Sequence, residues 1–150
     1  MTIWVDADAC PKLVKEVLYK AADRVKRDLI LVANQPLNVP RSPYITTRQV
    51  AAGFDVADNE IVARLAAGDI VVTADVPLAD EIISKGGVAI NPRGTLYTRN
   101  NIKDHLQRRD MMEQLRNDGV VSGGPPPYDK SDLQKFANAL DRELAKSEKR

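Results

Sequence analysis

Thr2-Ile3-Trp4-Val5-Asp6-Ala7-Asp8-Ala9-Cys10-Pro11 runs from a few strand formers straight into two carboxylates and then a proline. An apolar segment this short reads as a strand buried on both faces, and Pro11 marks the first turn of a following helix. Cys10, directly before the proline, is in place to occupy the helix cap. Beyond it, Leu13, Val14, Val17, Leu18, Ala21, Ala22 and Val25 form an apolar stripe at helical spacing, with Lys12, Lys15, Glu16, Lys20, Arg24 and Arg27 on the opposite face. A buried strand followed by an amphipathic helix is the unit from which parallel sheets are built.

The same unit recurs along the chain. Leu29 to Val32 is a second buried strand, ending at Asn34-Gln35-Pro36, and the proline-rich stretch from Leu37 to Pro43 is a loop. Tyr44 to Thr47 and Arg48 to Val50 are weaker strand candidates. Ile61, Val62, Leu65 and Ala66 make a helix face that stops at Gly68, a favourable residue just past a helix end. Ile70 to Thr73 is a strand, and a helix with Pro77 near its start buries Leu78, Ala79, Ile82 and Ile83. Gly86-Gly87 ends that helix, and Val88 to Ile90 is the next strand. A helix from about Asn101 to Asn117, a loop from Ser122 to Tyr128 and a last helix from about Ser131 follow. Ser131 with Gln134 reads as a capping box for the last helix. The expected fold class is α/β, a mostly parallel sheet with helices on each side, in one domain over residues 1–150 with 101–150 as its helical extension.

Composition narrows the setting. A chain of 150 residues, 43% apolar and 29% charged, is enough for one well-cored globular domain. A net charge of +1 argues against strongly electrostatic nucleic-acid binding, although a local basic patch remains compatible with it. No basic segment followed by a long apolar run begins the chain, and no run approaches the ~20 apolar residues of a membrane span. One cysteine fits a reducing compartment, so the expected location is the cytoplasm. One Cys and one His also fall short of a usual zinc ligand set.

Chemistry is carried by acids at strand ends and helix starts. Asp6 and Asp8 follow the first strand, Asp58 opens the Ile61 helix, and Asp75 follows Ile70-Val71-Val72-Thr73-Ala74. Carboxyl ends of parallel strands share one rim, where ligands of open α/β sheets bind. Carboxylates gathered there repel unless a cation lies between them, and hard oxygen ligands suit Mg²⁺ or Mn²⁺, hence phosphate chemistry. Capping explains Asp6, Asp8 or Asp75 singly. Asp58 differs, because it precedes Ile61, Val62 and Leu65 by three, four and seven residues and so shares their inward stripe, whereas Asp55 and Glu60 read as surface charges. Thr73 and Asp75 share a strand face, and Asp80 lies in the following helix as an outer member of the cluster or a solvated charge.

These residues resemble a known pattern. A strand ending in Asp, a mid-chain Asp opening a helix and a later strand ending in Thr-x-Asp resemble PIN-like nuclease domains. The chain is more closely similar to the bacterial YaiI/YqxD family, through Trp4 to Pro11, Asp55 to Asn59, Asp69 to Asp75, Asn91-Pro92-Arg93-Gly94 and Gly123-Gly124-Pro125-Pro126-Pro127 through Phe136. The resemblance implies a three-layer α/β/α fold with strand order 3-2-1-4-5. It also implies a site for one or two Mg²⁺ or Mn²⁺ ions built from Asp6, Asp58 and Asp75, with Asp8 and Asp80 nearby. In such a site Asp6, Asp8, Asp58 and Asp75 are the catalytic acids, and Asp6, Asp58, Asp75 and Asp80 the metal ligands. Asp8 and the following Ala-Cys-Pro depart from the common PIN pattern.

A phosphate-bearing substrate calls for partners at the same rim, and Lys12, Asn34, Thr73 and Arg93 are the candidates, with Arg48, Arg99, Arg108-Arg109 and Arg116 more loosely placed. The expected function is a metal-dependent nuclease acting on RNA in preference to DNA, with no membrane partner and with self-association allowed. Two rivals compete. Val5-Asp6-Ala7-Asp8 mimics the Asp-x-Asp of haloacid-dehalogenase-like phosphatases, with Asp6 as nucleophile, but Cys10-Pro11 breaks that motif and Asp58 is left without a role. The other rival is a non-catalytic RNA-binding module of the same fold. Cys10 as a helix-end nucleophile is disfavoured by the two flanking acids, and His105 is too distant in sequence to be marked as its partner.

Overall fold

The computed structural model describes residues 1–53, 55–120 and 126–148. Among these residues six strands form one sheet: β1 (Ile3–Asp6), β2 (Leu29–Ala33), β3 (Ile45–Gln49), β4 (Ile70–Val72), β5 (Val88–Ile90) and β6 (Leu96–Tyr97). Their order is β3-β2-β1-β4-β5-β6, parallel throughout except for the antiparallel β5–β6 pair. The helices among the described residues are α1 (Lys12–Val25), α2 (Val56–Arg64), α3 (Val76–Ser84), α4 (Ile102–Asn117) and α5 (Lys130–Glu148). The three-layer α/β/α arrangement and the 3-2-1-4-5 order are therefore as expected, with β6 added at one edge.

Strand alternation distributes the core between two layers. Ile3, Val5, Leu29, Leu31, Ile70 and Val72 pack with Val14 and Leu18 of α1 and Phe136, Leu140 and Leu144 of α5. Trp4, Val32, Val71 and Ala89 face the other way, onto Ile61 of α2, Leu78 and Ile82 of α3 and Ile102 of α4. Each such side chain, fully withdrawn from water, contributes about 1.5–3 kcal/mol. The central strands β1 and β4 are buried on both sides, whereas edge strand β3 is exposed beyond Ile45.

Several local expectations change. The chain does not pass directly from β1 into a helix: Ala7–Ala9 forms a 3-10 turn that Cys10 closes, and Pro11, not Cys10, caps α1. The two weak strand candidates merge into β3. Helix α2 ends at Arg64 rather than near Gly68, because the Asp69 side chain accepts the Ala66 N–H and draws the chain into a turn. The capping box of α5 is Asp129 with Asp132, each carboxylate accepting the other's backbone N–H, two residues ahead of the expected Ser131 and Gln134. Residues 122–125 of the expected loop, with Gly123, Gly124 and Pro125, lie outside the described residues.

Helix α5 is fastened to the turn after β5. Arg93 pairs with Asp132 at 2.9 Å, hydrogen-bonds the Pro126 carbonyl and lies over the Tyr128 ring, while the Tyr128 hydroxyl donates to the Pro92 carbonyl at 2.7 Å. Gly94 has φ +93°, and a Cβ there would come within 2.6 Å of the Lys135 carbonyl carbon. The opposite rim of the sheet is held by Asp69. This buried carboxylate, just ahead of β4, accepts the Thr2 N–H (2.9 Å), the Trp4 indole Nε1–H (3.1 Å) and the Ala66 N–H (2.8 Å). Removing it strands all three donors, so Asp69→Ala should lower stability by about 3 kcal/mol or more. Urea unfolding checks this, and a loss below about 1 kcal/mol would contradict the assigned role.

Candidate functional site

Between β1 and β4 the strand order reverses, as β1 leads through α1 to β2 on one side and β4 through α3 to β5 on the other. A crevice opens at such a switch point, beyond the carboxyl ends of the strands. Asp6 and Thr73 lie two residues beyond Trp4 and Val71, so both face the α2/α3 layer. There the buried Thr73 hydroxyl donates to Asp6 Oδ2 at 3.2 Å and accepts the Asp75 N–H at 3.0 Å. Asp75 caps α3, accepting the Leu78 N–H at 3.0 Å. Capping engages only one of its oxygens, so cap and site residue are compatible roles.

Helix α2 brings the remaining acids. Burial of Ile61 against the sheet turns the first turn of α2 inward, and Asp58, three residues earlier, follows it. Asp55 caps the same helix through its backbone alone, in a left-handed conformation (φ 62°), and its side chain makes no capping bond. Carboxylate oxygens of Asp55, Asp58 and Asp75 lie within 4.8 Å of one another, a group able to hold a metal ion. Two unit charges at such a separation near a protein surface repel by about 3 kcal/mol. The strain is seen at Asp58, whose carboxyl is pushed up to about 7, first by burial, then by the charges of Asp75 and Asp6, a hydrogen bond with Asp75 and the charge of Asp55. Asp6 is also raised, mainly by burial and against the Thr73 hydrogen bond, with Asp75 and Asp8 adding to the rise.

A cleft of about 240 Å³ opens onto the group, lined by Asp8, Asn34, Val50, Ala51, Gly53, Asp55, Val56, Ala57, Asp58 and Asp75. That is below the ~300–1,000 Å³ usual for small-molecule pockets and suits an ion with one small polar group. Asp8 stands on the opposite wall, its Oδ2 accepting the Asn34 N–H at 2.9 Å. Among the described residues, no Lys or Arg lines the cleft.

The expected site residues thus separate. Asp58 and Asp75 converge, with Asp6 behind them, and Asp8 and Asn34 form the facing wall. Asp80, half-buried in α3, is outside the close group. Thr73 is buried and holds Asp6 and the α3 cap in place, so it does not reach a substrate as expected. Arg93 is committed to α5 and does not line the cleft, and the exposed Lys12, on α1 in the other layer, does not line it either. Asp55 is exposed, as expected of a surface charge, but it also joins the acidic group, and its i, i+3 spacing from Asp58 is the sequence signal for that proximity. Burial pushes the Cys10 thiol up to about 12, which disfavours a thiolate there. His105 packs edge-on against Tyr97 at 5.0 Å.

Fold and site define an α/β protein with an acidic cleft at its sheet switch point. The chain belongs to the YaiI/YqxD family, whose model, described as an uncharacterised family of that name, matches residues 4–146. It is 60% identical to a UPF0178 protein of Thioalkalivibrio sulfidiphilus over 97% of this chain and 99% of the relative. A UPF0178 protein of Shewanella amazonensis is 58% identical over 97% and 98%, and one of Aromatoleum aromaticum 60% identical over 97% of each. No solved structure matches the chain. No helix among the described residues is long and apolar enough to cross a membrane.

The raised Asp58 carboxyl has a direct consequence. Without metal, the folded chain holds its proton up to about pH 7 while the unfolded chain releases it near 3.8, so the folded state binds more protons between these values. Stability therefore rises as pH falls from about 8 to about 5, and Asp6 contributes in the same direction. Asp58→Asn should flatten this slope. Urea midpoints across that range, in EDTA, measure the difference, and parallel slopes for the two proteins would refute it.

Proposed function

We propose that this protein is a metal-dependent phosphodiesterase of PIN-like type, a nuclease acting on RNA in preference to DNA, with Mg²⁺ or Mn²⁺ held by Asp58 and Asp75. Asp55 and Asp6 complete the charge around the ion. The observation that carries this reading is the convergence of Asp55, Asp58 and Asp75 within 4.8 Å in a cleft that no Lys or Arg among the described residues lines. An all-carboxylate donor set fits a hard divalent ion and does not fit zinc. Such an ion, when bound, neutralises a phosphodiester and lowers the pKa of water for in-line displacement.

The chain's own residues supply the rest. Thr73 orients Asp6 and the α3 cap, and the Asn34 N–H holds Asp8 on the opposite wall, where its exposed carboxylate is available to take a proton from water. The narrow cleft admits a phosphate group more readily than a whole nucleotide. The phosphatase reading requires Asp6 to meet the substrate as a nucleophile. Asp6 instead receives the Thr73 hydroxyl and is not among the residues lining the cleft, whereas Asp58, which that reading leaves without a task, is central to it.

Millimolar Mn²⁺ should raise Tm by several degrees, and Asp58→Asn should remove most of the shift. Cleavage of single-stranded RNA should need the metal and fall by at least about a hundredfold in Asp75→Asn. Asn caps a helix about as well as Asp, so that variant keeps α3 intact. A metal-independent Tm would overturn the metal site. Metal binding without cleavage of RNA or DNA would overturn the nuclease assignment alone.

A further inference from the structure

A second cavity, of about 380 Å³, lies between the turn after β5 and the side of α5, lined by Arg93, Gly94, Thr95, Asp132, Lys135, Asn138 and Arg142. Its charge is the reverse of that in the acidic cleft: three cations and one carboxylate. The carboxylate is already engaged, since Asp132 Oδ2 takes both the Arg93 guanidinium at 2.9 Å and the Asp129 N–H at 3.1 Å. Lys135 and Arg142 form no ion pair among the described residues.

These two cations are arranged by the helix. Lys135, Asn138 and Arg142 fall at i, i+3 and i+7 on one face of α5, and Lys135 and Arg142 are about 10 Å apart along the axis, close enough for their long side chains to converge. Asn138 accepts from Gln134 Nε2 through its Oδ1, which leaves its amide donors for the cavity. The opposite wall is the Asn91–Thr95 turn, brought against α5 because Gly94 has no side chain: its missing Cβ would collide with the Lys135 backbone. Arg93 enters from that wall, and its bonds to Asp132 and the Pro126 carbonyl hold its guanidinium in place.

The geometry points to an oxyanion site that takes a phosphate group between Lys135 and Arg142. Arg offers a planar fork and Lys a compact charge, a pairing suited to a tetrahedral phosphate approached from two directions. This site shares no lining residue with the acidic cleft and needs no metal, so it stands or falls independently of the proposed nuclease chemistry.

The test titrates inorganic phosphate into the full chain by isothermal calorimetry in EDTA at constant ionic strength, and a labelled single-stranded RNA in parallel by fluorescence anisotropy. Phosphate should bind saturably, and K135E/R142E should weaken it by at least roughly tenfold, the loss expected for one or two charge-assisted contacts. The milder K135Q/R142Q should weaken it in the same direction, which guards against a folding defect, and Asp58→Asn should leave it unchanged. RNA binding that drops with phosphate binding in both variants identifies the source as a nucleic-acid backbone. Phosphate binding without RNA binding identifies a small phosphate-bearing ligand. No saturable phosphate binding, or binding undiminished in both double variants, would overturn the site.

Discussion

Parallel pairing of β1 with β4 at the centre of the sheet is the constraint from which the acidic site follows. It places the ends of two strands side by side where the chain departs in opposite directions, and so brings Asp6 beside Thr73. The helix that continues from β4 must begin at that rim, which fixes Asp75 at its cap. The helix that precedes β4 must lie on the same face to bury Ile61, which swings Asp58 and Asp55 toward the same point. None of these four acids could be placed there without the pairing, and the apolar layers on both faces of β1 and β4 keep the pairing in place.

Two aspartates, Asp69 just ahead of β4 and Asp58 in the first turn of α2, show how environment separates structural from chemical roles. Asp69 is buried among three hydrogen-bond donors, two from the N-terminal segment (Thr2 and Trp4) and one from the turn after α2 (Ala66), and its negative charge is satisfied where it stands. Asp58 and its neighbours face one another instead, and Asp58 holds its proton to about pH 7 because charge on it is disfavoured by burial and by the adjacent acids. The first arrangement stabilises the fold. The second costs stability in the metal-free protein, and a cation in the cleft is what would reverse that cost.

Much of the architecture was legible because it rests on periodicity. The doubly buried strands and the apolar stripes of α1, α3 and α5 are written in their own residues, so their positions are close to those expected. Strand order was not legible that way and came from the family resemblance. β6 has two residues and no period to detect. Within the site, Asp58 was visible through its place on a buried stripe, whereas Asp55 is exposed as its sequence position suggests, and only its proximity to Asp58 and Asp75, a tertiary fact, sets it apart from other surface acids. Arg93 was misjudged for a tertiary reason: its partner Asp132 lies 39 residues away and comes near only when α5 docks.

Anomalous diffraction from a crystal soaked in Mn²⁺ addresses the acidic site most directly, since it requires no knowledge of substrate. A single strong peak should appear in the cleft about 2.1 Å from carboxylate oxygens of Asp58 and Asp75. A map with no peak there at millimolar Mn²⁺ and pH 8, where Asp58 is ionised, would contradict the metal site.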